Sequence, residues 1–133
     1  MKHKVIAGTA ALCFAAVLGT PPMADTIGEA EFLNSCAHCH GADGKGGGSI
    51  VAYLKAPVPD LSQLKKENGG AFPLEYVLWM VDGRNKIQIH GGDMPVWGER
   101  FQASALSERG ETAEMVARGR ILSVVYYLES IQE

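Results

Sequence analysis

Apolar positions along this chain fall at helical spacing in three stretches, separated by segments rich in glycine, proline and polar residues. The first stretch predicts a helix over about 27–39. Asp25 or Thr26 can cap it, and Thr26 with Glu29 fits a capping box. Gly28 and Phe32 stand four apart and share one face. Gly28 is either a tolerated helix glycine, at about 1 kcal/mol, or a gap that admits a second helix, with Phe32 filling the crossing. Further on, 61–68 predicts a short helix ending at Gly69-Gly70. Pro73 suits the first turn of the next, where Leu74, Val77, Leu78 and Val81 form a core-facing stripe at i, i+3, i+4 and i+7 that Gly83 ends. Met80 within it reads as core. Residues 102–110 read as a polar linker. Thr112 can cap a last helix reaching about Ile131. Ile121, Val124, Val125, Leu128 and Ile131 trace its apolar side, with Tyr126 and Tyr127 beside it.

The N-terminus has a different pattern. Basic Met1-Lys2-His3-Lys4 precedes an apolar run from Val5 to Leu18, then Gly19-Thr20-Pro21-Pro22-Met23-Ala24. That order predicts a secretory signal peptide over 1–24, cleaved after Ala24, and a mature domain over 25–133. The run is short of the roughly 20 residues that span a membrane. Cys13 lies inside it, and Leu12 before Cys13 is a poor lipoprotein box, so no lipid anchor is expected. Removing Lys2 and Lys4 from the 12 basic residues leaves 10 against 15 acidic ones, a net charge of −5. No basic stripe appears, which argues against a nucleic-acid partner.

The mature chain keeps two cysteines, in Cys36-Ala37-His38-Cys39-His40. Two thiols three apart with an imidazole directly after the second form the attachment signature of c-type haem. On one helical turn, Cys36 and Cys39 can reach both vinyl groups of one porphyrin edge and form thioethers. His40 can then offer its imidazole to the iron as proximal ligand. A CxxC redox pair is expected beside a βαβ pattern, which is absent, and zinc would need two more ligands at suitable spacing. His38 is an exposed spacer. With one covalent haem, export predicts the periplasm as compartment.

The segments around the motif supply candidate partners for such a group. Gly41 to Ser49 lacks the Walker spacing and reads as a chain turning where side chains would clash. Ile50 to Leu54 is apolar pocket wall. Pro57 and Pro59 keep their segment extended, and a carbonyl of one or the other can accept the His40 Nδ1–H. Arg84 and Lys86 either pair with haem propionates or are solvated. In 87–98, Met94 stands in a loop rich in Gly and Pro, where helical packing does not call for it. Its thioether is a soft ligand suited to the sixth position of haem iron; His90 is the alternative there. Pro95 stiffens the approach, and Trp97 can pack on the porphyrin and donate its N–H to a propionate.

The Gly28…Phe32 helix, Cys36-Ala37-His38-Cys39-His40-Gly41, the proline loop, Met94-Pro95-Val96-Trp97-Gly98 and an aromatic C-terminal helix together resemble a small bacterial class I cytochrome c. The resemblance covers nearly the whole mature chain. It implies an all-α fold whose N- and C-terminal helices cross at the Gly28/Phe32 face, with Tyr127 and Val124 opposite, and electron transfer as the activity. The stretch between Trp97 and the last helix is longer than in the smallest members. A site closed by His40 and Met94 suits a soluble electron carrier between redox partner proteins. The rivals are a haem enzyme or sensor with an open sixth position, and a cytochrome subunit of a periplasmic dehydrogenase.

Overall fold

The structure, a computed structural model, describes residues 23–84, 94–109 and 112–133. The predicted leader up to residue 22, with Cys13, lies outside the described residues, as do Lys86 and His90. The helices run in the order α1 (Met23–Ser35), α2 (Ala37–His40), α3 (Leu64–Glu67), α4 (Leu74–Asp82), α5 (Trp97–Arg109) and α6 (Ala113–Ser130). Short 3-10 turns stand at Val51–Tyr53 and Leu61–Gln63. No strand occurs among the described residues, in agreement with the all-α expectation.

α1 and α6 make the most extensive helix contact. Gly28 is what lets them approach. A Cβ there would run into the Ser123 carbonyl and stand 2.8 Å from Tyr127 Cβ, so the glycine is a gap rather than a tolerated defect. Phe32, one turn on, has 0% of its surface exposed, and its ring centroid lies 5.2 Å from that of Tyr127. Val124, Val125 and Leu128 of α6 complete this core. Burying a side chain of this class stabilises by about 1.5–3 kcal/mol, so the crossing is the energetic centre of the fold.

Several boundaries differ from the sequence pattern: the helix expected over 27–39 is broken at Cys36, and the one expected over 61–68 begins as a 3-10 turn. α1 is already helical at Met23, so Thr26 lies within the helix and is not its cap; Met23 and Ala24 are strong helix formers and carry it upstream. The predicted polar linker is in fact helix α5 as far as Arg109. Its burial rests on few residues: Phe101 and Ala105, four apart, are buried, and Trp97 packs half-buried against the core. Arg120 of α6 binds this helix to the crossing. Its guanidinium donates to both Glu31 carboxylate oxygens of α1 at 2.8 Å and to Ser104 Oγ of α5 at 2.7 Å. It also lies 4.0 Å over the Phe101 ring. At the other end of α6, the Gln132 side chain donates to Leu61 O at 2.8 Å and accepts from Lys65 N–H at 2.8 Å. Thr112 stands at the N-cap of α6, but its side chain makes no capping bond.

Candidate functional site

α1 ends against the core and hands the chain to the motif. Cys36 steps out of the regular helix at φ −111°, ψ −33°, and α2 carries the remaining motif residues. A helix end leaves its last carbonyls without partners. Here the glycine-rich loop supplies them, doubling back along α2. Gly46 N–H donates to His40 O at 2.7 Å, Gly48 N–H to Cys39 O at 3.1 Å and Ile50 N–H to His38 O at 3.1 Å. Side chains would obstruct this return. A Cβ on Gly48 would enter the His38 and Cys39 backbone, and one on Gly46, at φ 81°, would press on the Val58 and Pro59 carbonyls. The expected clash beside the motif is therefore one with the motif's own backbone and with the proline segment.

Cys36 is 8% exposed and His40 7%. His38 is exposed, as its spacer role requires. Burial, reinforced by Glu31 and then Cys39, pushes the Cys36 thiol up to about 12. A redox CxxC pair needs the opposite, a thiol pushed down toward the thiolate. Among the described residues no group of three or more His, Cys, Asp or Glu side chains converges on a common metal position.

Two contiguous cavities open beside the motif. The smaller, about 50 Å³, is lined by Cys36, Cys39, His40, Pro59, Met94 and Trp97 among others. The larger, about 520 Å³, shares His40, Pro57, Pro59 and Met94 with it and runs on between Met80, Val81 and Leu128. Together they form one apolar cleft in the size range of cofactor sites. Of the residues singled out for cofactor or metal contact, Cys36, Cys39, His40, Pro59, Met94 and Trp97 line a single cleft. Pro57 and Pro59 both border it as well, so the choice between them as partner for His40 stays open. Two thiols, an imidazole, a thioether and mostly apolar walls are a donor set that fits an iron porphyrin held by its edge.

Other residues depart from the sequence reading. Leu54 alone of the 50–54 stretch reaches the smaller cavity with its neighbours Ala56 and Val58; Tyr53 is 86% exposed and Ile50 is exposed too. Arg84 does not stand at the cleft. It is engaged with Asp82 and Glu114, which it meets at 2.6 Å each. Sequence reasoning missed the wall contributed by Tyr76 and Met80. Their i, i+4 spacing runs beside that of Val77 and Val81, so the stripe is wider than Leu74, Val77, Leu78 and Val81 suggested.

A family model described as Cytochrome c matches residues 26–98, more than half of the 133-residue chain. Comparison with curated proteins and with solved structures found no match. The match runs from α1 through the motif and the proline segment to Trp97-Gly98, and covers all of the cleft lining but Leu128. The chain therefore belongs to the cytochrome c family, whose members carry electrons on covalently bound haem c.

Proposed function

We propose that this protein is a periplasmic electron carrier holding one haem c, linked through Cys36 and Cys39 and ligated by His40 and Met94. The observation that supports the reading is the shared cleft, whose mostly apolar lining includes Cys36, Cys39, His40 and Met94. When bound, the haem supplies a one-electron iron couple. The chain's own residues would do the rest. Cys36 and Cys39 would fix one porphyrin edge, His40 would offer a nitrogen, and a carbonyl of Pro57 or Pro59 would hold the ring in the correct tautomer. Met80, Val81 and Leu128 give the larger cavity apolar wall. A dry site with a thioether ligand favours the reduced state and raises the potential. With His40 and Met94 both given to the iron, the chain would leave no donor position for a substrate, which suits transfer rather than catalysis. Residues 1–24 serve as the export leader in this reading. Among the described residues, no helix is long and apolar enough to cross a membrane.

The test is the optical spectrum of the ferric holoprotein and of Met94→Ala. A weak near-infrared band of sulfur-to-iron ligation in the wild type, lost in the variant, is the expected result. A high-spin wild-type spectrum without the band would replace the carrier reading with an open-site enzyme or sensor.

A further inference from the structure

The chain on either side of residues 85–93 meets at a polar clip. Gly83 ends α4 at φ 69°, and a Cβ there would lie 3.2 Å from Val96 Cα. Next to it, Arg84 donates through Nε to Asp82 Oδ1 at 2.6 Å and through Nη2 to Asp82 Oδ2 at 2.7 Å. The same guanidinium donates through Nη1 to Glu114 Oε2 of α6 at 2.6 Å. This fork sits directly on Gly98, where a Cβ would strike Arg84 Nε and Asp82 Oδ1. From Gly98 the chain runs back over Trp97, Val96 and Pro95 to Met94. Pro95 restricts the backbone between them, so little slack separates clip and thioether.

We infer that the Asp82–Arg84–Glu114 clip, seated on Gly98, is a positioning device for Met94: it fixes residues 94–98 against α4 and α6 and sets how firmly the thioether is offered to the cleft. The inference rests on the axial role proposed above for Met94. A planar guanidinium bridging two carboxylates on different helices resists both sliding and rotation. Water shields the clip only partly, because the Arg84 side chain is 23% exposed and that of Asp82 14%. A lysine in place of Arg84 would keep the charge and lose the fork.

Imidazole added to the ferric holoprotein competes with Met94 for the iron. Its apparent affinity is lowered by however strongly the internal ligand holds, so loosening the internal ligand raises it. Arg84→Met is expected to raise imidazole affinity at least about tenfold, equivalent to about 1.4 kcal/mol, and to weaken the near-infrared band. Gly98→Ala, which forces the clip while keeping all its charges, should act in the same direction, and Arg84→Lys should fall between wild type and Arg84→Met. Arg118→Ala is the control. Arg118 meets Glu114 at 2.6 Å from the exposed side and is not among the atoms nearest Gly98, so affinity should stay within about twofold. If Arg84→Met and Gly98→Ala both stay within twofold while melting earlier, the clip is structural only and the inference is overturned. If Arg84→Met yields no holoprotein, Gly98→Ala and Glu114→Gln are judged by the same thresholds. A wild type without the band sinks the axial assignment itself. A wild-type band with unresponsive variants sinks the clip alone.

Discussion

Gly28→Ala separates two effects of opposite sign. Judged by local propensity, the substitution stabilises, because alanine is about 1 kcal/mol better than glycine inside a helix. Judged by the crossing, it destabilises. The new Cβ would lie 2.8 Å from Tyr127 Cβ, against 3.4–4 Å for ordinary contact. α1 and α6 must therefore part by about 0.6 Å there, and by more at the Ser123 carbonyl. The obstacle is backbone and a Cβ, neither of which can rotate away, so the upper part of the usual overpacking range, about 3 kcal/mol, applies. Subtracting the propensity gain leaves a net loss of about 2 kcal/mol, or roughly 10 °C in melting temperature for a domain of this size. Guanidinium unfolding of the ferric holoprotein, followed by far-ultraviolet circular dichroism, measures it. An unchanged or higher midpoint would refute the reasoning, since propensity alone predicts that outcome. A second consequence reaches the site: α1 leads into Cys36 and α6 contributes Leu128 to the cleft wall, so parting these helices should also disturb the haem absorption spectrum.

Two more outcomes are expected from the ion pairs. Arg120→Met removes the link among α1, α5 and α6 and leaves the Glu31 carboxylate, 20% exposed, without its guanidinium; the expected loss is about 2–3 kcal/mol, read from denaturant midpoints, and a loss below about 0.5 kcal/mol would show that the link is incidental. Hydrogen bonds from Arg84 and then Arg118 hold Glu114 at about 2, below the ordinary 4.5. Its folded value lies below its unfolded value, so the stability it contributes is complete above about pH 4.5 and is lost as pH falls toward 2. Glu114→Gln should flatten that part of the profile relative to wild type, and parallel profiles would refute the assignment.

What could be read in the sequence was local. The stripe on α4, the apolar side of α6 and the spacing of the haem motif each occupy a few helical turns, where the period of the backbone translates directly into a face. α5 escaped because its burial depends on Phe101 and the small Ala105 among Gln, Ser, Glu and Arg, too sparse a pattern to outweigh the polar composition. Arg84 escaped for another reason. Just past the end of α4 it reads as either a propionate partner or a solvated charge, but one of its two carboxylates stands 30 residues away on α6, and pairing over that distance is set by the packing of α4 on α6. Met80 was recognised as apolar and not as cleft wall, because core and cofactor wall demand the same side chain.

The family match stops at Gly98, yet residues beyond Gly98 close the cleft. Leu128 of α6 forms part of its wall, Ser123 and Tyr127 receive α1 at Gly28, and Glu114 anchors the guanidinium that sits on Gly98. The residues carrying the chemistry are thus mostly local and nearly all precede residue 99, whereas the residues that hold them together are distant in sequence and lie after it. A substitution in 99–133 can therefore disturb the site without touching a ligand. Such an effect should appear first as a change in axial ligation or stability, with covalent attachment at Cys36 and Cys39 intact, because attachment depends on one helical turn and the ligand set depends on the whole helical frame.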